Sequence, residues 1–438
     1  MNRHRLKRII TAIILAVLGF APAAAAQTND EVFPNLQWNF ATPGARANGM
    51  GRTFIGTADD ATATVTNPAG LVSLTKPQIY GEFKSSELSI DRLSARDSLL
   101  TGIATTTAET LNSLSFFSVS APLTKSNRLA AAFSFHQFLD YRENLNLADR
   151  DVPGTTRVFF PVNGEAHFKG RAWGGSVAYR LIEGLRAGVT VAYNQLDAFA
   201  EATRTGVPRP GFTVQPGIIA NRTVIDSDES AVSATVGVNY KTAGENFGIG
   251  VTYARSPRFD LSEDIQVNPS TTANQPLQQA TGFPKSVEFN VPDRFGFGVS
   301  GRPMSRLLVA FDVVRVQYSS LTENTTIIFN EGVLAPTDYN TPDATEVHFG
   351  GEFNLLKIKE NSVLVRGGVF TNPEHLVRFT GTGSADAIIS ETAKTNLLEG
   401  KDETRGTVGA GFVFGARGQV DVAYVFGRDF VLSAALRF

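Results

Sequence analysis

The stretch "FGIGVTYA" at residues 247–254 alternates between two kinds of side chain. Phe247, Ile249, Val251 and Tyr253 are large and apolar, whereas Gly, Thr or Ala lies between them. Successive side chains of a β-strand point to opposite faces of the sheet. The pattern therefore predicts a strand with one large apolar face and one small or polar face.

The same alternation recurs along most of the chain after residue 79. Two further examples are residues 232–240 and residues 420–426, where Val and Tyr or Phe alternate with smaller or polar residues. Counting such segments together with their turns predicts 14 strands. They are placed at 79–90, 112–121, 128–140, 165–182, 185–201, 229–241, 246–263, 283–301, 306–320, 343–356, 361–371, 404–414, 418–427 and 430–438.

The links between these strands alternate in length. Links after even-numbered strands are short, such as Glu183-Gly184, whereas most links after odd-numbered strands are long, such as 202–228 and 372–403. Bacterial outer-membrane barrels combine short periplasmic turns with long external loops, and a soluble sandwich or propeller has no reason to do so. We therefore predict an all-β fold, a transmembrane antiparallel β-barrel of about 14 strands over residues 79–438. The large apolar side chains are expected to face lipid.

The N-terminus predicts export. Residues 1–26 contain a basic start, an apolar run from Ile9 to Phe20 and an Ala-rich end before Gln27, which together are typical of a signal peptide. After it, no apolar run approaches the length of a transmembrane helix. The chain has no cysteine, which excludes disulfides and thiol chemistry, and 40 Lys and Arg face 42 Asp and Glu, so no basic surface for nucleic acid is expected.

Residues 27–78 precede the first strand and are predicted to form a hatch that plugs the lumen. The wall side chains of a 14-stranded barrel cannot fill its interior, and this segment has too many apolar residues for a solvated tail. Within it, "DDATATVT" at 59–66 predicts a short helix that Asp59 or Asp60 caps and that Pro68 ends. Asn67, placed before Pro68, is expected to hold a turn.

The run "GARANGMGRTFIGTADDATATVTNPAGL" at 44–71 resembles the N-terminal hatch of the long-chain fatty acid transporter (FadL-type) family of outer-membrane proteins. Residues 291–316 and 407–427 are similar to later strands of that family. The resemblance implies passive uptake of hydrophobic or amphipathic small molecules, such as long-chain fatty acids or hydrocarbons. It also implies that the hatch gates this uptake, and the gate residues would be Asp59, Asp60, Asn67, Pro68, Ala69 and Gly70.

Two alternatives are left open. The hatch pattern also resembles that of related barrels that act in protein secretion or surface attachment, which would make this chain an interaction protein. A water-filled general porin is the third possibility, and it would conduct ions steadily without retaining lipid.

The alternation also nominates ligand-binding residues. It places His348, Glu352 and Arg366 in the lumen on neighbouring strands, where Arg366 either joins a wall-stiffening ion-pair network or receives the carboxylate of a cargo molecule. Phe212 and Phe283 lie in external loops with few charges, which would either capture ligand or pack together as a roof.

No catalytic or metal-binding motif is visible. The four histidines after the leader form no H-x-x-x-H pair and the chain has no G-x-S-x-G turn, so neither an enzyme nor a cofactor or metal is predicted. The expected partners are a hydrophobic small molecule, outer-membrane lipid including lipopolysaccharide, and the barrel-insertion machinery, which would recognise the terminal Phe438.

Overall fold

The computed structural model describes residues 38–92, 105–147, 149–151, 158–208, 214–281, 285–329, 332–334, 336–381, 393–394, 397 and 399–438. The predicted signal peptide, the first part of the predicted hatch, Phe212 and Phe283 lie outside this range. None of the described helices is both long enough and apolar enough to span a bilayer.

Within the described residues, fourteen antiparallel strands form a closed barrel, as predicted. Each strand pairs with its neighbours along the chain, and the last pairs with the first through Gln78 and Arg437. Closure satisfies the backbone groups that an edge strand would leave unpaired. The strands are β1 Gln78–Arg92, β2 Thr105–Pro122, β3 Leu129–Leu147, β4 Val162–Arg180, β5 Leu185–Thr205, β6 Ile219–Lys241, β7 Phe247–Arg255 with Arg258–Val267, β8 Ser286–Asn290 with Arg294–Met304, β9 Leu307–Val316, β10 Ala344–Ile358, β11 Asn361–Asn372, β12 Glu403–Phe414, β13 Gly418–Val425 and β14 Asp429–Arg437.

Strands β7 and β8 are each broken in two, whereas the sequence pattern predicted continuous strands. The breaks contain Pro257 and Pro292, which have no N–H group to donate to a neighbouring strand. Asp293 bridges the two breaks, because its Oδ1 accepts a hydrogen bond of 2.8 Å from the Ser256 amide. Both strands therefore bend at the same height of the wall.

The large apolar side chains face outward, as expected for a lipid-facing surface. Val232 is 67% exposed and Phe295 and Phe349 are each 50% exposed in the isolated chain. Their inward-pointing neighbours on the same strands are small or polar and mostly buried. Strand β6 has 23 residues, about twice the 9–11 needed to cross a bilayer, so it extends beyond the membrane.

Short strand pairs lie in the long connections. Arg150–Asp151 pairs with Val158–Phe159, Ile328–Phe329 pairs with Gly332–Val333, and Tyr339–Asn340 pairs with Arg378–Phe379. Gln278–Gln279 extends the outer end of β7. Long links therefore build structure at one end of the barrel only, which identifies that end as the external one.

The chain ends on an exposed residue. Phe438 is 67% exposed, and its amide donates to the Pro77 carbonyl over 3.0 Å, next to the start of β1. Recognition of this residue by the insertion machinery stays a prediction.

The described part of the predicted hatch contains two short helices, α1 Ala45–Gly49 and α2 Ala63–Thr66, followed by a 3₁₀ helix Pro68–Ser73. The predicted cap of α2 is wrong: α2 is capped by Thr62 without a side-chain hydrogen bond. Asp60 instead accepts the Thr62 amide and hydroxyl over 2.8 and 2.7 Å, which forms a turn before the helix. The predicted end before Pro68 is confirmed, since Asn67 is extended and Pro68 opens the 3₁₀ helix.

Candidate functional site: the lumen and its hatch

Glycines in the wall let the hatch backbone approach the barrel directly. A Cβ added at Gly237 would lie 2.1 Å from Asn67 Oδ1, and one added at Gly350 would lie 2.1 Å from the Met50 carbonyl oxygen. Asn67 Nδ2 donates to the carbonyls of Ile55 and, on β6, Val238, over 3.2 and 3.3 Å. The predicted turn residue thus ties the hatch to the wall as well as to itself.

Wall side chains also bind the hatch backbone. Asp312 Oδ2 on β9 accepts the amides of Phe54 and Ile55 over 2.6 and 2.8 Å. On β6, Lys241 Nζ donates to the Thr57 carbonyl over 2.7 Å. Hydrogen bonds that involve a charged group are stronger than neutral ones. Residues 54–57 are therefore held by two wall strands, β6 and β9, that are separated by β7 and β8.

A buried network of ion pairs connects the hatch to strands β10, β11 and β13. Arg46 lies 2.5 Å from Asp59 and 2.9 Å from Glu352, and Arg366 lies 2.8 Å from Glu352 and 2.8 Å from Asp421. The Arg366 side chain has no exposed surface. Arg366 is therefore part of the ion-pair network, which was one of its two predicted roles, and its other role, receiving a cargo carboxylate, stays a prediction.

The two neighbouring carboxyl groups of the hatch, Asp59 and Asp60, differ in how well their negative charge is stabilised. Burial alone would raise the pKa of Asp59, but the positive charge of Arg46 holds it below its ordinary value. For Asp60, burial and then the negative charge of Asp59 outweigh the positive charge of Arg46 and raise its pKa to about 6. The adjacent carboxyl groups therefore differ in charge over a mildly acidic range.

His348 also contacts the hatch, at a different point. Its Nε2 lies 3.1 Å from Glu346, and its Nδ1 lies 3.3 Å from the Arg52 carbonyl oxygen. Arg52, which has a positive φ of 65°, packs its guanidinium 4.2 Å from the Phe370 ring centre. The three ligand-binding candidates of the lumen are therefore separated: Glu352 and Arg366 stiffen the wall, and His348 borders a cavity.

Two cavities lie between the hatch and the external half of the barrel. One encloses about 730 Å³ and is lined by strands β3 to β8, and the other encloses about 880 Å³ and reaches β9, β10 and His348. Phe40, Val65, Ala254 and Arg294 line both. The two cavities therefore share part of their lining.

Arg294 is the residue that sequence reasoning missed. It opens the second segment of β8 and lines both inner cavities, and within the described parts of the chain it makes no hydrogen bond or ion pair. Alternation with the lipid-facing Phe295 and Phe297 would have placed it in the lumen. The absence of an ion-pair partner for Arg294, in contrast, depends on which strands and hatch residues surround its side chain, and alternation does not predict these neighbours.

A third cavity, of about 640 Å³, lies nearer the external end. Its lining is mainly apolar and aromatic, with Glu263 and Glu288 as its acidic members. Trp38 borders this cavity and packs against Tyr141, Phe168 and Phe289, with ring centres 4.8, 5.0 and 4.9 Å away. The external cavity is thus bounded by an aromatic cluster.

The segment of residues 38–43, which we call the strap, separates the external cavity from the inner ones. Trp38 lines the former and Phe40 lines the latter two. The strap has no regular secondary structure. Its Ala41 amide donates to the Phe138 carbonyl over 2.9 Å, and its Asn39 Oδ1 accepts a hydrogen bond of 3.3 Å from Asn372 Nδ2. The Trp38 carbonyl oxygen lies 2.7 Å from His375 Nε2, and the Thr42 carbonyl accepts a hydrogen bond of 3.0 Å from Asn48 Nδ2.

The described residues of one predicted capture loop pack on one another. Val207, Val214 and Ala220 form a small apolar cluster with Phe160. The roof that these external loops were predicted to form as an alternative to ligand capture stays a prediction. The capture roles of Phe212 and Phe283 stay predictions, because both lie outside the described residues.

Comparison with known structures shows the same architecture. A Pseudomonas aeruginosa FadL homologue matches with a TM-score of 0.61 and 14% identity, covering 92% of this chain and 100% of its own. The Pseudomonas putida toluene transporter TodX matches at 0.57 with 13% identity over 92% and 99% of the two chains. The Ralstonia pickettii toluene transporter TbuX matches at 0.57 with 13% identity over 91% and 99%. At these identities the likeness shows the fold.

No curated protein matches this chain significantly. The family described as outer membrane protein transport protein (OMPP1/FadL/TodX) matches residues 39–430, which include the strap, the rest of the described hatch and nearly all of the barrel. Together with the closed fourteen-strand barrel, this match shows that the chain is an outer-membrane protein belonging to the OMPP1/FadL/TodX transport family.

Proposed function

We propose that this chain takes up hydrophobic or amphipathic small molecules across the outer membrane by passive diffusion, and that the hatch and strap control their passage. The observation that carries the proposal is the succession of three cavities from the external end to the hatch, interrupted by the strap. The structurally similar proteins named toluene transporters and a FadL homologue support a hydrophobic cargo.

The route begins at the external cavity, where an apolar molecule would leave water to contact Phe168, Leu261 and Phe289. It would then pass the strap into the two inner cavities. The last barrier is the body of the hatch, residues 44–77, which fills the lumen below.

The unpaired Arg294 favours a cargo with an anionic head. The negative charge of Glu346 offsets the loss of hydration of Arg294 only in part, and a carboxylate brought in by the cargo would neutralise the guanidinium. The planar guanidinium suits a carboxylate because it can donate two parallel hydrogen bonds. We therefore assign to Arg294 the role considered earlier for Arg366, with the apolar tail of the cargo lying against Phe40 and Val65.

Within the gate, we assign the first movement to the strap. The predicted gate residues Asp59, Asn67 and Pro68 are fixed to Arg46 or to the barrel wall, and Asp60, Ala69 and Gly70 lie beside them. The strap, in contrast, has no charged residue and no regular secondary structure, so no ion pair holds it. Cargo that displaces the strap would reach the inner cavities while the hatch body stays docked.

The test is equilibrium binding to the purified barrel in detergent. Two ligands are compared: a fluorescent long-chain carboxylate and a neutral aromatic hydrocarbon. Arg294→Gln should weaken carboxylate binding by about tenfold or more, since a hydrogen bond to a charged group contributes about 1.5–3 kcal/mol, and should leave hydrocarbon binding unchanged. Arg315→Gln is the matched control, because Arg315 lies outside the cavities and pairs with Asp343 at 3.4 Å.

Three outcomes are informative. If wild type and Arg294→Gln bind each ligand with the same affinity, Arg294 does not bind the carboxylate. Loss of both ligands would mean that the variant damages the cavity as a whole. Absence of binding of either ligand to the wild-type barrel would contradict uptake of hydrophobic molecules itself.

A further inference from the structure

Three basic residues lie together on the outer surface of the barrel, at the external edge of the lipid-facing belt. On β4, Lys169 and Arg171 have the same parity as Trp173, which is 42% exposed and faces lipid. On β3, the register shifts between Gln137 and Leu139, so beyond it the exposed Arg142 points outward. Arg142, Lys169 and Arg171 therefore share one outward face.

Strand pairing places these three cations close to one another. Lys169 is directly opposite Asp140, and Arg142 is one step further along the same pair of strands, opposite His167. Diagonal neighbours on an antiparallel pair are about 7–8 Å apart, and residues two apart on one strand are about 7 Å apart. The cations thus form a patch of about the size of one lipid head.

The patch has no ion pairs, unlike several other arginines of the external rim. Among the described residues, Arg142, Lys169 and Arg171 have no acidic oxygen within 4.0 Å. The other outward-facing rim arginines are paired: Arg222 with Glu201, Arg255 with Asp293, Arg258 with Glu323 and Arg315 with Asp343, at 2.7 to 3.4 Å.

The acidic residues near the patch do not cancel its charge. Asp140 accepts a hydrogen bond of 2.6 Å from Gln137, and Asp197, opposite Lys169 on β5, lies 3.9 Å from His167. The three cations outnumber these two carboxylates, so the patch stays positive. Asp140 lies within electrostatic reach of all three cations but within ion-pair distance of none of them, so each cation can still approach an external anion.

The surface directly below the patch is aromatic. Trp173 stacks against Phe133 and Phe135, with ring centres 6.3 and 4.7 Å away, and Tyr193 lies opposite it on β5. Trp and Tyr mark the boundary between hydrocarbon and head groups in membrane proteins. A lipid that lies along this wall would place its acyl chains on the aromatic residues and its head at the three cations.

We infer that Arg142, Lys169 and Arg171 bind the phosphorylated head of the outer-leaflet glycolipid, lipid A. The external leaflet supplies this anion at the height of the patch, and both guanidinium and ammonium groups bind phosphate strongly. The site is on the outside of the wall and is independent of cargo uptake through the lumen.

The experiment measures lipid A binding to the full barrel in detergent by native mass spectrometry. Lys169→Gln combined with Arg171→Gln should weaken binding of bisphosphorylated lipid A roughly 30-fold, since each cation near an anionic lipid surface contributes about 1 kcal/mol. Dephosphorylated lipid A should bind wild type and double variant alike. Arg315→Gln, which alters a paired rim arginine, should bind lipid A as wild type does.

Because the substituted side chains point away from the lumen, the double variant should stay heat-modifiable on gels, which shows that it is folded. Unchanged lipid A binding by a folded double variant would overturn the assignment. So would equal loss in Arg315→Gln, or inorganic phosphate that displaces lipid A completely at equal concentration.

Discussion

At the scale of single residues, the hatch is positioned by the absence of side chains in the wall. Gly237 leaves room for Asn67, and Gly350 leaves room for Met50, at distances no Cβ could tolerate. Replacing such a glycine should act on docking of the hatch and leave the barrel strands intact, because a Cβ is compatible with extended backbone.

Gly237→Ala should displace the hatch. The added methyl group would lie 2.1 Å from Asn67 Oδ1, and overpacking of this kind costs about 1–3 kcal/mol. We expect a heat-modifiable barrel whose hatch is cut faster by trypsin after Arg46 and Arg52. Gly175→Ala is the matched control, because a Cβ at Gly175 meets nothing within 4 Å. Equal cleavage of the two variants would contradict the close approach.

Asp60 should make hatch docking depend on pH. Its pKa is raised from 3.8 to about 6 in the docked hatch by burial and then by the charge of Asp59. Between pH 3.8 and about 6, docking of the hatch is therefore coupled to protonation of Asp60. The contribution of Asp60 to the free energy of docking is full below pH 3.8 and is lost as the pH rises through about 6. Asp60→Asn should abolish this dependence.

The measurement is hydrogen exchange of residues 58–66, compared between wild type and Asp60→Asn at each pH so that intrinsic exchange rates cancel. The ratio of the two rates should change between pH 3.8 and 6 and then level off. A constant ratio across this range would show that Asp60 does not make hatch docking depend on pH.

At the scale of elements, alternation predicted the strands because the lumen and the lipid select different residues on the two faces. Alternation predicted β7 and β8 as continuous strands although the sequence shows Pro257 and Pro292. A proline interrupts a strand only where a neighbouring strand needs its missing N–H group as a hydrogen-bond donor, and the sequence alone does not show where that is. Alternation also placed Arg366 in the lumen. That Arg366 is paired and Arg294 is unpaired follows from contacts between distant strands and the hatch, which periodicity does not encode.

The strap should be the element that must move. Asn39→Cys combined with Asn372→Cys, in a chain that has no other cysteine, would let a short reducible bis-thiol linker fix the strap to β11. Linked barrels should lose carboxylate binding in the inner cavities by at least tenfold, because the strap blocks access to them. Reduction should restore binding.

A linked pair in the wall is the control for the strap experiment. Gly175→Cys with Val191→Cys joins two facing outward positions of β4 and β5, which do not move relative to each other during uptake. This linkage should leave binding unchanged. Full binding by strap-linked barrels would show that cargo reaches the inner cavities by another path.

At the scale of the whole molecule, the barrel combines a lipid-facing surface, a lumen filled by a charged and tightly docked hatch, and cavities that open toward the external end. This arrangement suits a molecule that leaves water early and moves between apolar compartments. It is a poor conduit for ions, because Arg46, Arg366 and their carboxylate partners fill the space below the cavities.

The most direct test of uptake is the rate at which cells expressing the chain accumulate a radiolabelled long-chain carboxylate, with empty-vector cells as background. The host is a bacterial strain that lacks transporters of this family, and a hydrophilic dye of similar size is measured in parallel. We predict accumulation of the carboxylate well above background and no accumulation of the dye. Equal entry of both would identify an open pore, and entry of neither would contradict a transport function for this barrel.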